Sequence, residues 1–155
     1  MYYLSEEHFV TAHSASNPVA LKVPQGAEVK VKTQDCYSNG LRAENDPRGE
    51  APGPVNACNP APGAIFVEGA HPGDTLAVEI LSIELDDYAT MRISPRFGFM
   101  KHKVGRAITR AFALKDGKTS LSGVEIPLEP MIGVIGVAPK RGEVDTETPH
   151  QHGGN

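Results

Sequence analysis

At 155 residues the chain is long enough for one domain, or a domain with a subdomain, and for a real buried core. An apolar share of 39% beside 22% charged residues excludes a disordered or fibrous polymer. The net charge of −4 comes without a basic stripe, since Lys101, Lys103, Arg106 and Arg110 are mixed with His102 and apolar residues, so nucleic acid is not an expected partner.

The first ten residues carry Glu6, Glu7 and His8 and lack both a basic n-region and an apolar h-region, so no secretory leader is expected. No run approaches the roughly 20 apolar residues of a membrane span. A cytoplasmic location follows as an expectation, with Cys36 and Cys58 reduced. The 16 glycines and 13 prolines are spread along the chain, a pattern of short strands joined by tight turns.

In chain order, strands are expected at Ala20 to Val23 and at Glu28 to Thr33, where Val29 and Val31 share one face and the lysines the other. The stretch from Glu44 to Gly63 has no apolar period and reads as a long loop. Ile65 to Glu68 is the next strand. Thr75 to Leu85 follows with a change of phase at Ile80 and Leu81, which implies a bulge or a strand that switches sheets. Further strands are expected at Met91 to Ile93, Ala107 to Leu114, Val124 to Leu128 and Ile132 to Val137, with at most a short helical turn in Arg96 to Val104. Turns fall at Pro24-Gln25-Gly26, Ser38-Asn39-Gly40, Pro72-Gly73-Asp74 and Asp116-Gly117-Lys118. The expected fold class is all-β, a sandwich or jelly roll with long loops and little helix, in a single domain.

Chemistry-bearing residues gather in three places. His150 and His152 are spaced i, i+2, which in an extended strand puts both on one face and suits a shared metal, although any polar tail produces the same spacing. Asp35 stands where a strand gives way to a turn, either as a site carboxylate or as a cap for backbone N–H groups. Glu68 is either a solvent-facing strand residue or a site acid. No Gly-x-Ser-x-Gly elbow supports a serine nucleophile, and no Gly-x-x-x-x-Gly-Lys loop supports phosphate binding.

Four blocks in order resemble the acetamidase/formamidase family: Thr33-Gln34-Asp35-Cys36, the run from Asn59 to Leu76, Pro130 to Pro139, and Thr148-Pro149 through Asn155. Pro62, Ala64, His150 and Gln151 depart from the family pattern, and family members run to about twice this length, so the resemblance implies an N-terminal half. What it implies for function is hydrolysis of short linear amides such as formamide or acetamide, with acids and a histidine from the other half completing the site. Glu68 and Asp35 become candidate catalytic groups, and Gly153, Gly154 and Asn155 candidate substrate-binding positions. His152 and Asp35 become candidate ligands of a divalent metal, zinc being the candidate ion, with His150 auxiliary. Unpaired β edges would favour a homo-oligomer or a bound complementary C-terminal half. The alternatives are a non-catalytic β-sandwich binding module using the Glu44 to Gly63 loop, or an inactive fragment.

Overall fold

The computed structural model describes residues 1–41, 59–96 and 98–154. Among these the fold is all-β and sandwich-like, with helix confined to 3-10 turns at Lys101–Lys103 and His150–His152, and with no closed barrel. No helix is long and apolar enough to cross a membrane among the described residues. Where the sequence reads as one domain, the backbone gathers into two compact units, one holding described residues 1–38, 59–79 and 132–154, the other 39–41, 80–96 and 98–131.

The first unit is built of short paired strands numbered here in chain order. Strand β1 (Tyr2–Leu4) lies parallel to β5 (Val29–Val31), and β4 (Leu21–Pro24) lies parallel to β7 (Ile65–Glu68) with Val23 beside Val67. Strand β2 (Phe9–Val10) pairs antiparallel with β6 (Ala61–Pro62), and β3 (Ala12–Ser14) pairs antiparallel with β13 (Glu143–Asp145). Strand β12 (Ile135–Gly136) pairs with β14 (Gly153–Gly154). Leu4, Val23 and Ala61 are buried in this unit. The end of the β3–β13 ladder is fastened by Thr146, whose side chain is fully buried: its N–H and its hydroxyl both donate to Thr11 O, at 3.1 and 3.0 Å.

The second unit contains β8 (Tyr88–Ile93) antiparallel to β9 (Ile108–Ala113), then the hairpin of β10 (Lys118–Leu121) and β11 (Val124–Pro127). That hairpin closes on two residues, Ser122 and Gly123, both at positive φ (53° and 83°), the backbone twist that suits a two-residue connection. Serine pays strain in the left-handed region that asparagine largely escapes. Ser122→Asn is therefore expected to stabilise the protein by about 0.5–1 kcal/mol, read as a rise in the urea midpoint with an unchanged slope.

The largest departure from expectation is Thr75 to Leu85. The run joins no ladder among the described residues, so neither a bulge nor a paired strand is formed there. The phase change at Ile80 and Leu81 does coincide with the passage of the chain from the first unit to the second. Val31, expected on a half-buried face with Val29, is exposed. Most of the long loop expected from Glu44 lies outside the described residues.

Candidate active site

One histidine that the strand pattern did not single out occupies a buried position of the first unit. His13 is the middle residue of β3, opposite Val144, and is 8% exposed. Its ring lies against Gly136 of β12. A Cβ built on Gly136 would stand 2.5 Å from His13 Nε2, 2.8 Å from His13 Cδ2 and 2.9 Å from His152 O, so only glycine leaves room for the imidazole. Gly136 is in turn held beside Gly153 in the β12–β14 ladder, and Val137 N–H donates to His152 O at 2.7 Å. Two ladders thus meet at His13, with His152 next to them.

His13 Nε2 is buried and has no hydrogen-bond partner among the described residues. Leaving such an atom unsatisfied costs about 1–3 kcal/mol, and sites of that kind ask for an explanation beyond packing. Desolvation by burial, and then the neighbouring His152 imidazole, pushes the His13 pKa below its ordinary value of 6.5. Burial disfavours the imidazolium, so the ring is neutral at pH 7.

The sign of the resulting stability effect is fixed. Below pH 6.5 the unfolded chain takes up a proton at residue 13 that the folded chain resists, so the unfolded state binds more protons and acid destabilises the fold. The contribution is fully present above pH 6.5 and is lost as the pH falls through the lowered folded-state value. Urea unfolding at a series of pH values from 7.5 downward is expected to show this loss, and His13→Asn to flatten it.

The residues singled out by sequence fall in different places. Asp35 lies in a turn, where Oδ1 accepts from Tyr37 N–H at 2.8 Å and its carbonyl accepts from Ser38 N–H at 3.0 Å, the capping role weighed for it. Glu68 is exposed at the end of β7, opposite Pro24. The tail is turned at 150–152, not extended as expected. His152 N–H donates back to Pro149 O at 3.0 Å and His150 takes a φ of 53°, so the alternation that would put both imidazoles on one face does not apply. His150 is exposed and His152 half-buried. Gly153 has a packing reason to be glycine, because a Cβ there would run into Ile135 O and Gly136 Cα. Gly154 lies opposite Ile135, and Asn155 lies outside the described residues.

No three His, Cys, Asp or Glu side chains are gathered to hold a metal ion among the described residues, His152, Asp35 and His150 included. What the structure brings together is the pair His13 and His152.

Comparison with known proteins defines the class. The Acetamidase/Formamidase family model matches residues 8–150, and the chain belongs to that family. Among solved structures it is similar to an acetamidase from Bacillus halodurans, at 33% identity and a TM-score of 0.90, covering 99% of this chain and 52% of that one. A predicted acetamidase/formamidase from Thermoanaerobacter tengcongensis matches at 39% identity and a TM-score of 0.91, covering 99% of this chain and 51% of that one. An acetamidase from Yersinia enterocolitica matches at 25% identity and 0.83, again with 99% of this chain and 51% of that one covered. The chain therefore spans about half the length of these relatives. No curated protein matches it.

Proposed function

We propose that this chain supplies the imidazole side of an amidase site, in a cytoplasmic enzyme that hydrolyses short linear amides to carboxylate and ammonia. The observation that supports this reading is His13: a buried, neutral imidazole with an unbonded Nε2, beside His152, in a chain of the Acetamidase/Formamidase family.

An amide carbonyl is a weak electrophile and its nitrogen a poor leaving group, so hydrolysis needs a base for the attacking water and a proton for the departing nitrogen. A neutral imidazole near pH 7 can meet both needs in turn. In this proposal the assembled protein opens a path to His13 Nε2, which is buried in the chain alone. His13 then takes the proton from water as oxygen attacks the carbonyl carbon, and the imidazolium returns it to nitrogen as the C–N bond breaks. Glu68, exposed at the end of β7, is given no part in this transfer. Asp35 acts at one remove, by holding the turn that follows residue 34.

The described residues do not by themselves fit a divalent ion. A catalytic zinc takes three protein ligands, and the gathered imidazoles number two, His13 and His152. Metal assistance is a separate proposal that needs ligands from outside these residues, with its own readout: loss of ammonia release on chelation and its return with zinc.

The test is ammonia release from formamide and acetamide by the chain alone and together with a polypeptide equivalent to the half its relatives carry beyond it. Release by the assembly is the expected result. Failure of the assembly on both amides would remove the proposal.

A further inference from the structure

The ladder of β8 and β9 is patterned the wrong way round for a half-buried hairpin. Met91 and Ile93 are exposed, whereas Thr90 and Arg92, on the opposite face of β8, are half-buried. Ser94 continues that parity and is 5% exposed, and Thr109, opposite Arg92, is 2% exposed. A covered sheet face ordinarily takes apolar residues, and arginine seldom enters one without an opposite charge to meet. This face instead holds an arginine and two buried hydroxyls.

The end of the same ladder opens on a cavity of about 220 Å³ lined by Arg92, Ser94, Pro95, Arg96, Arg106 and Ala107, all within the second unit. Ile93 pairs with Ile108, which brings the two ends of the 94–107 connection together there. Three guanidinium groups line the cavity and no carboxylate does. Arg96 and Arg106 make no ion pair among the described residues. Ser94 Oγ accepts from Arg96 N–H at 3.2 Å, while its own proton has no acceptor among the described residues. The surrounding sequence has the same bias: Tyr88 to Ala113 contains six Lys and Arg and no Asp or Glu, in a chain whose net charge is −4. Guanidinium groups do not shed their protons, so their mutual repulsion is relieved by an anion.

We infer that this cavity binds a doubly charged oxyanion, a phosphate group, held by Arg92, Arg96 and Arg106 with the Ser94 hydroxyl donating to one of its oxygens. Size and charge select the class. The cavity lies below the range of about 300–1,000 Å³ that drug-sized ligands occupy, and three fixed positive charges favour a dianion over a single carboxylate. The inference does not depend on amide hydrolysis, and its readout is binding.

The test is titration calorimetry of the chain at constant ionic strength and about pH 8, where a phosphate group carries close to two charges, with inorganic phosphate and phosphoserine as probes. The expected result is one-to-one binding of phosphate, weakened about tenfold or more by Arg96→Gln or by Arg106→Gln. Both arginines are exposed, so either change should move the melting temperature by no more than about 2 °C. Arg110→Gln removes an exposed cation of β9 that does not line the cavity, and should alter the affinity less than about twofold. Phosphoserine bound more tightly than phosphate assigns the site to a phosphomonoester, and the reverse order to free phosphate. No binding, binding indifferent to Arg96 and Arg106, an equal loss with Arg110→Gln, or formate bound as tightly as phosphate overturns the inference.

Discussion

Replacing His13 by asparagine should lower the rate of ammonia release from formamide by about 10²–10⁴-fold, the range that a positioned general base contributes. The substitution takes away the imidazole while leaving a small polar side chain in β3. His13 Nε2 makes no hydrogen bond among the described residues, so no partner is orphaned on that side when the ring is removed. The rate, measured on the chain assembled with a polypeptide equivalent to the part of its relatives that it does not cover, should fall far more than the folded fraction does. A circular-dichroism melt of the same preparation separates the two. A variant that keeps a rate within threefold of the parent would show that the buried imidazole is a packing residue.

Gly136→Ala is expected to have the second large effect, and through geometry alone. The added methyl would sit 2.5 Å from His13 Nε2 and 2.9 Å from His152 O. Neither neighbour yields easily: the ring is buried, and His152 O is held by Val137 N–H at 2.7 Å. Overpacking of this kind costs about 1–3 kcal/mol, and displacement of His13 should carry most of the activity with it. Gly133→Ala is the matched control on the same stretch of chain. A Cβ there meets nothing within 4 Å and the backbone is not left-handed. Its stability should be unchanged or raised by up to about 1 kcal/mol through the entropy of the unfolded chain. Equal melting temperatures for the two variants would mean that the close approach of β12 to His13 is not as described.

The parts of the fold that were legible in the sequence are those whose pattern is local. Ile65–Glu68 coincides with β7, and the strands read around residues 21–23, 108–113 and 124–127 match β4, β9 and β11, because β-branched and aromatic residues bounded by Gly, Pro and Asp mark a strand without reference to its partner. Strand β3 was illegible for the opposite reason. Ala12–Ser14 is three residues long, has no apolar alternation, and is made a strand by β13, with Ser14 reaching Gly142 O across 128 positions of sequence.

His13 was missed with it. The usable signal was the glycine pattern, since Gly136 and Gly153 both lie in the blocks that resemble the family, and both are glycine because another group needs their Cβ space. The cap at Asp35 was among the sequence readings, whereas the tail was legible only as unusual sequence and its geometry was not. The left-handed φ at His150 follows from a local turn that side-chain spacing does not encode. Thr75 to Leu85 was read from its change of phase as a bulged or sheet-switching strand, and it joins no ladder among the described residues.

Residue 13 is a buried imidazole whose pKa is lowered by desolvation and then by His152. The most direct check is an NMR titration of the His13 ring in the chain itself, beside His152→Asn. The expected midpoint lies below 6.5 and rises when the neighbouring imidazole is removed. A midpoint at or above 6.5 that does not respond to His152→Asn would contradict the burial, the pairing and the assignment of His13 as the base.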